Sequence, residues 1–414
     1  MTNHKKVQDN LFFEVQGMLR FTLVIVIVFL ASLGVSAQEA DTTKYDEDFV
    51  KTSLIIASPG DMLYSKVGHC AIRMQCPQYK LDYVFSYESE DARQKVLTFL
   101  AGKLKMGMFS VPTDEYISSY KKEGRSVTEY TLNIPIDAKR NLWKVLDTHV
   151  MEGANLPYDF ITRGCAHSVL TMIDEGIFPL TLEFDSFPKT FAASTRRELT
   201  GLQMKEHPWT WCFLNLLVNG SIDDTDCSNE DKVIMPADLV ESLLKARING
   251  KPLISEAPKE LLTAKSAEST CWFTPLMLAI ILLVITVIAT LIKWNFWNYV
   301  LLAIQTVLGI FILYLVAFSS LCCTEWSWLI IPFNPLPLIF WKWRKRWALP
   351  FAVIIALWAA AMLLYPHQLT DTTFIVLGIA LVLNYANIFI RNKKQGKDGK
   401  PTEVRTQQRD IDIR

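Results

Sequence analysis

The last third of the chain contains long apolar stretches, and these restrict its fold more than any other feature. Four of them are each long enough to cross a bilayer as a helix, at residues 271–294, 298–320, 347–365 and 373–390. None carries an acidic or basic residue near its centre, which argues against an ion pump or a proton relay. The sequence therefore predicts an all-α membrane domain at 269–392.

A fifth apolar stretch, at 326–341, decides the orientation of this domain. Basic clusters lie at 342–346 and 391–397, and such clusters stay on the cytoplasmic side of a membrane. The loops 321–328 and 366–371 contain no lysine or arginine and belong outside. With the N-terminal part of the chain outside, the basic clusters and these loops fall on their expected sides only if the fifth stretch also crosses. We therefore predict about five crossings and a cytoplasmic C-terminus.

The fifth stretch cannot form a plain helix, because it contains Pro332, Pro335 and Pro337. Irregular backbone at membrane depth is tolerated only inside protein or beside a cavity. Two interpretations stay open at this point. The stretch lines a lipid-accessible groove, with Asn334 among the lining residues, or it is a kinked structural helix with tryptophans at the interface.

The N-terminal part of the chain is predicted to be exported. Residues 1–37 comprise an extension and a basic-then-apolar run that ends in small residues, which is typical of a secretory signal peptide; an uncleaved anchor is the alternative. Residues 38–268 have the composition of a soluble domain, and 393–414 are polar and predict a disordered cytoplasmic tail. Basic and acidic residues number 42 each, so bulk charge predicts no nucleic-acid partner.

The exported domain is predicted to be α+β, with an antiparallel sheet. Its alternating and amphipathic patterns place strands at 52–58, 68–74, 82–88 and 126–134, and helices at 91–102 and 137–151. In RGCAHSVLTMIDEG (163–176), Ala166, Val169, Leu170 and Ile173 recur at helical spacing and predict a buried stripe.

Cys165 falls in the first turn of that helix. The positive end of the helix macrodipole lowers the pKa of a thiol there, as a nucleophile requires. A nucleophilic thiol needs a base, and His69 is the best candidate, because it lies on a strand whose hairpin partner can orient it through Asp82, with Ser86 behind. A buried spectator cysteine, half of a disulfide, and a strand histidine satisfied by backbone all remain open on the residues alone.

Two motifs, SPGDMLYSKVGHCAIRM (58–74) and YDFITRGCAHSVLTMIDE (158–175), resemble the Bacteroides-type lipoprotein N-acyltransferases, the Lnb family. Several crossings and an Asn334-Pro335-Leu336 element also fit that family, so the resemblance covers most of the chain. The exported domain is similar to the circularly permuted papain-like (NlpC/P60-related) fold of the lecithin:retinol acyltransferase group, in which the histidine strand precedes the cysteine helix. The chain departs from that group at Gly164, where the pattern has asparagine.

The resemblance implies acyl transfer at the inner membrane, with the catalytic domain in the periplasm. Cys165 would take a fatty acyl group from a phospholipid as a thioester, and His69 would be the general base. The acceptor would be the α-amino group of the diacylglyceryl-cysteine of an apolipoprotein. Asp82 falls near the position of the residue that orients the histidine in the lecithin:retinol acyltransferase group.

Three further residues are candidates for substrate binding. Tyr64 and Arg73 belong to the histidine block, and Asn334 lies in the proline-rich stretch. A surface ion pair is the alternative for Arg73. No metal or cofactor is expected, because no metal-spaced cluster or phosphate-binding glycine loop occurs in the sequence.

Two other classes of function are compatible with the residues. A membrane-anchored papain-like cysteine hydrolase could cut peptidoglycan peptides or another amide, although one crossing would be enough for an anchor. A non-enzymatic envelope assembly protein would tolerate replacement of Cys165. The partners expected for the transferase are a phospholipid donor, a diacylated lipoprotein acceptor and the membrane.

Overall fold

The computed structural model describes residues 50–62, 65–153, 155–192, 195–264, 271–364 and 371–398. The predicted signal peptide, Tyr64 and the C-terminal residues 399–414 lie outside these ranges.

The exported part is built on a seven-stranded sheet in which every neighbouring pair is antiparallel. The strands of the chain are β1 Lys51–Ala57, β2 His69–Cys76, β3 Leu81–Ser89, β4 Lys105–Pro112, β5 Val127–Thr131, β6 Leu156–Pro157, β7 Glu183–Phe184, β8 Ala246–Ile248, β9 Lys251–Pro252 and β10 Lys259–Leu262. The large sheet has the order β10-β5-β1-β2-β3-β4-β6, and β7, β8 and β9 form a small second sheet. All four predicted strands are present, as β1, β2, β3 and β5, so the α+β prediction is confirmed.

Helices cover both faces of the large sheet. Those of the exported part are α1 Val96–Leu100, α2 Thr113–Lys122, α3 Ile136–Glu152, α4 Cys165–Ile177, α5 Arg196–Gln203, α6 Pro208–Leu217 and α7 Pro236–Leu243. Tyr116 and Tyr120 of α2 pack on the face that carries Ala71. Met172 of α4 lies on the opposite face, where the Tyr87 hydroxyl is 3.8 Å from its sulfur. Because side chains alternate along a strand, His69 belongs to the α2 face and Cys70 to the α4 face.

The C-terminal part is helical. Its helices are α8 Pro275–Leu291, α9 Phe296–Phe318, α10 Leu336–Ile339, α11 Arg344–Leu364 and α12 Thr372–Asp398. Among the described residues, three helices are long and apolar enough to cross a membrane, at Phe296–Phe318, Arg346–Leu364 and Thr372–Lys393. The apolar helix α8 has 17 residues and is shorter. The last helix continues to Asp398, beyond the predicted start of the tail at 393.

The proline-rich stretch is an irregular chain inside the helical part. It consists of the 3₁₀ turns Trp328–Ile330 and Trp341–Trp343 with the short α10 between them. Gln305 of α9 donates to the carbonyl of Pro332 at 2.8 Å and accepts from the Tyr385 hydroxyl at 2.6 Å. Surrounding helices thus satisfy backbone groups that the prolines leave unpaired. The described helices support three of the predicted crossings, and those at 271–294 and 326–341 stay predictions.

The exported and helical parts pack against each other. The N–H of Asn219, just after α6, donates to the carbonyl of Cys323 at 2.6 Å. The N–H of Ser320, just after α9, donates to the carbonyl of Ala101 at 3.0 Å. Buried apolar side chains from both parts share one cluster, in which Ile161 and Leu217 meet Leu315, near the end of α9. The junction therefore lies at the C-terminal end of the long apolar helix α9.

Candidate active site

Cys165 is the first residue of α4, and the local sequence places it there. Gly164 is the N-cap and has extended backbone, with φ −66° and ψ 166°. A Cβ atom at Gly164 would lie 3.0 Å from the carbonyl oxygen of Phe160, so glycine allows the close approach of these two segments. The predicted stripe is buried, at Ala166, Val169, Leu170 and Ile173. It holds α4 on the sheet, with the thiol at the helix end where backbone N–H groups are unpaired.

His69 is the first residue of β2 and is held by two polar side chains of β3. Its Nε2 atom is 2.7 Å from the Ser86 hydroxyl and 3.4 Å from the Glu88 carboxylate. The Ser86 hydroxyl donates to Glu88 at 2.8 Å. The His69 side chain is 17% exposed. This chain of hydrogen bonds orients the imidazole ring.

The Cys165 thiol lies beside His69 and Cys70. It interacts with the two side chains and with the backbone N–H of Cys70. Because Nε2 of His69 is engaged by Ser86 and Glu88, the ring nitrogen left for the thiol is Nδ1. The predicted pair of Cys165 and His69 is thus brought together, at the end of the sheet where side chains from both faces can meet.

These surroundings lower the pKa of the Cys165 thiol and raise the pKa values of the Cys70 thiol and the His69 imidazole. The Cys70 hydrogen bond and His69 outweigh burial and hold the pKa of Cys165 well below its ordinary value. Burial acts to lower the pKa of His69, but Tyr120, Cys165 and Glu88 outweigh it and raise that pKa well above its ordinary value. Burial raises the pKa of Cys70, which therefore stays a thiol and donates. The set favours a thiolate beside an imidazolium at neutral pH, which is the reactive form of a cysteine nucleophile.

The predicted orienting residue Asp82 is engaged elsewhere. It accepts from Arg73 at 2.8 and 2.6 Å and from Thr113 at 2.5 Å. In the observed hairpin register Gln75 pairs with Asp82 and Ile72 with Phe85, so Asp82 lies too far along β2 to reach His69. A turn centred on Pro77 and Gln78 would have set Ser86 opposite His69 and Asp82 opposite Arg73; the observed turn is longer and shifts the register by two residues. A shift of two keeps every side chain on its face, so Glu88 stands opposite His69 with Ser86 next to it.

Two residues of the site were not identified from the sequence. Glu88 shares a strand face with Ser86, so the alternation that indicated Ser86 could have indicated it too. Cys70 was assigned to the opposite face from His69, and nothing in that pattern suggests that both reach Cys165.

The remaining candidates that the structure describes, Arg73 and Asn334, are engaged by other groups. Arg73 forms ion pairs with Asp82 and with Glu129 at 2.8 Å, which corresponds to the ion-pair alternative. Asn334 donates to the carbonyl of Ile331 at 2.8 Å and accepts from the N–H of Leu336 at 3.1 Å, so it caps its own turn. Among the described residues, no group of three or more His, Cys, Asp or Glu side chains could hold a metal ion.

The segment that leads into the nucleophile helix rests on the helical part of the chain. Ile161 is buried in the cluster with Leu315, and the partly buried Phe160 packs against it. The rings of Tyr158 and Phe99 lie 6.4 Å apart, between this segment and α1. Only a few residues therefore separate Cys165 from the end of the apolar helix α9.

Comparison with known families gives two matches. Residues 36–199 match the Lnb N-terminal periplasmic domain, and residues 266–395 match the Lnb transmembrane domain. No curated protein and no solved structure matches the chain.

Proposed function

The chain belongs to the Lnb family, and we propose that it is a membrane-bound lipoprotein N-acyltransferase. It moves a fatty acyl group from a phospholipid, through a thioester on Cys165, to the α-amino group of the diacylglyceryl-cysteine of an apolipoprotein. The observation that carries the proposal is that Cys165 lies beside His69, which Ser86 and Glu88 hold by hydrogen bonds, near the junction with α9. Both substrates are anchored in the bilayer, so a thiol at this junction meets them without extracting either.

In the first half-reaction the Cys165 thiolate attacks the carbonyl carbon of the phospholipid ester. The tetrahedral intermediate collapses with cleavage of the C–O bond. The leaving lysophospholipid oxygen takes the proton from Nδ1 of the His69 imidazolium. A thioester on Cys165 and a neutral imidazole remain, so the acid needed for departure comes from the ion pair itself.

In the second half-reaction the neutral amine of the acceptor attacks the thioester carbonyl. His69 accepts the amine proton at Nδ1, the C–S bond breaks, and Cys165 leaves as a thiolate. The product is an amide, and the thiolate–imidazolium pair is restored. Backbone N–H groups at the start of α4, including that of Cys165, stabilise the oxyanion in both steps.

The proposal includes the arrangement that the family resemblance implies. The exported domain, 38–268, is a permuted papain-like fold in the periplasm; β2 with the base precedes α4 with the nucleophile, as that fold requires. The membrane domain, 269–392, crosses the inner membrane five times and leaves the tail at 393–414 in the cytoplasm. Ser86 and Glu88, rather than Asp82, orient His69.

The test is acyl transfer in phospholipid vesicles to a synthetic diacylated lipopeptide, followed by mass spectrometry. We expect the peptide amine to gain one fatty acyl group with the unaltered protein. Cys165→Ser and His69→Ala should each lower transfer by at least roughly a hundredfold, the size of a general acid–base contribution. Cys227→Ser is the matched control, because its thiol lies in a surface loop and donates to the carbonyl of Asp224.

The failure modes of this test are distinct. A hydroxylamine-sensitive acyl adduct on Cys165 without transfer would show that the acceptor is wrong. Free fatty acid without acylated peptide would make the protein a hydrolase. If neither an acyl adduct on Cys165 nor acyl transfer to the peptide were observed, the acyltransferase proposal would be overturned.

A further inference from the structure

The short helix α1 of the exported part presents two apolar side chains outward. Val96 is 50% exposed and Leu97 is 76% exposed. The opposite side of the helix is fixed, because Phe99 and Leu100 pack against the cluster that contains Leu315 of α9. The exposure therefore belongs to a rigid, anchored element.

The position of α1 is set by the end of the apolar helix α9. The carbonyl of Ala101, which directly follows α1, accepts from Ser320 at 3.0 Å. Phe318 is the last residue of α9 and is 73% exposed. A spanning helix ends at the boundary of the hydrocarbon layer, so α1 lies at that boundary. Its exposed apolar surface continues the lipid-facing surface of α9.

The charges around α1 fit the same location. Arg93, Lys95, Lys103 and Lys105 flank the apolar pair and are exposed. Two of these charges have acidic partners, since Lys95 pairs with Glu90 at 2.6 Å and Arg93 with Asp91 at 2.9 Å. An apolar tip with a basic rim is the pattern of an element that lies in the membrane interface, where the charges meet phosphate groups and the apolar side chains enter the acyl region.

The same end of the sheet carries the site. Since β3 and β4 are antiparallel, the end of β3 and the start of β4 lie together, and α1 connects them. β2 begins at that end with His69, opposite the C-terminal end of β3. The Phe99 ring lies beside Tyr158, seven residues before Cys165.

We propose that α1 inserts Val96 and Leu97 among the phospholipid acyl chains of the outer leaflet, next to the entrance of the site. The element docks the catalytic end of the exported domain on the bilayer, and phospholipid is the occupant of this surface. The inference rests on the placement of the helices in a membrane and does not depend on the transfer reaction.

The test is photocrosslinking of the full-length protein in phospholipid vesicles. Leu97 is replaced with the photoreactive residue benzoyl-phenylalanine, and in a second variant Val96 is replaced. Phe178 is the matched control position, because it is 75% exposed and follows the far end of α4, about 20 Å along that helix from Cys165. The products are analysed by intact-protein mass.

We expect irradiation to add the mass of one phospholipid at positions 97 and 96, with a yield at least tenfold above that at position 178. Equal yields at all three positions, or no lipid adduct at 97 and 96, would overturn the inference. The crosslinking readout needs no acyl transfer. A lipid adduct in a protein that fails the lipopeptide test would therefore support the docking surface, and only the proposed reaction would be rejected.

Discussion

The charge on the Cys165 thiol is stabilised by two consecutive residues of one strand, His69 and Cys70. Neighbouring side chains on a strand point to opposite faces, so they can share a partner only where the sheet ends. Cys70 is fully buried and its thiol donates to Cys165. The site therefore has a hydrogen-bond donor to the thiolate besides the usual imidazolium.

Replacement of Cys70 tests this donor. Cys70→Ala removes a donor to the thiolate, so we expect the pKa of Cys165 to rise and its alkylation by iodoacetamide to slow at neutral pH. The rate at high pH, where the thiol is ionised in both proteins, should match that of the unaltered protein. Cys76→Ala is the control, since Cys76 is also buried but lies at the other end of β2. Unchanged alkylation in Cys70→Ala would remove Cys70 from the site.

The ion pair also sets the pH dependence. The pKa of Cys165 is lowered and that of His69 is raised, so the thiolate–imidazolium form is lost below the first value and above the second. We expect the rate of thioester formation on Cys165 to be flat through neutral pH, to fall in acid as the thiolate is protonated, and to fall in base as the imidazolium loses its proton. A single rise near pH 8.5, the pKa of an ordinary thiol, would contradict the pair.

The residues behind His69 can be separated by substitution. Ser86→Ala breaks the link from Nε2 to Glu88, and we expect thioester formation to slow roughly tenfold to a hundredfold. Asp82→Asn instead weakens the pairing with Arg73 and should lower thermal stability with little change in that rate. The reverse result, with Asp82 controlling the rate, would return the orienting role to Asp82.

At the scale of single residues, candidates could be predicted from the sequence and their partners could not. Residue type and element singled out Cys165 and His69, but they left a spectator cysteine, a disulfide and a backbone-satisfied histidine open, and the roles came from the family resemblance. The partner of His69 depended on a turn of a few residues. The αL conformation of Lys80 lengthens that turn, and no strong signal such as Asn-Gly marks it.

At the scale of elements, the junction between the two parts includes a close approach of backbone at Gly102. Gly102 has φ +67°, and a Cβ atom there would lie 2.2 Å from the backbone nitrogen of Leu321. Gly124 has φ +68°, but a Cβ atom there would meet nothing within 4 Å. The two glycines thus share a backbone conformation and differ in the space around them.

This pair gives a matched stability test. Gly124→Ala should cost about 1 kcal/mol, which is the strain of a left-handed backbone in a residue with a Cβ atom. Gly102→Ala adds a clash with backbone and should lower the thermal midpoint of the membrane-reconstituted protein clearly more. Equal shifts for the two variants would mean that α1 is not held against the end of α9.

Some elements could be predicted from the sequence and the path of the proline-rich stretch could not, for a physical reason. Strands β1, β2, β3 and β5 and helix α4 are each indicated by a clear alternation or stripe, and all are present. The proline-rich stretch has no periodicity, and its path depends on Gln305, Gly309 and the helices around it. Tertiary contacts of this kind leave no pattern within the stretch itself.

At the scale of the whole molecule, the number of crossings decides which side of the membrane holds the C-terminus. The part of the chain that the structure describes has three helices of spanning length, the shorter α8, and the irregular stretch at 326–341. With the exported part outside, an odd number of crossings leaves the C-terminus in the cytoplasm and an even number leaves it outside. The basic clusters at 342–346 and 391–397 both favour the odd number.

A reporter at the C-terminus tests this parity. We expect green fluorescent protein fused after Arg414 to fluoresce, because it folds in the cytoplasm, and alkaline phosphatase at the same position to be inactive, because it requires export. A phosphatase fusion after Asp371, between α11 and α12, should be active, and it should be inactive if the stretch at 326–341 does not cross. Active phosphatase after Arg414 would mean an even number of crossings. The stretch at 326–341 would then enter and leave on the outer side, and the basic clusters at 342–346 and 391–397 would both lie outside, against the charge rule that otherwise places them in the cytoplasm.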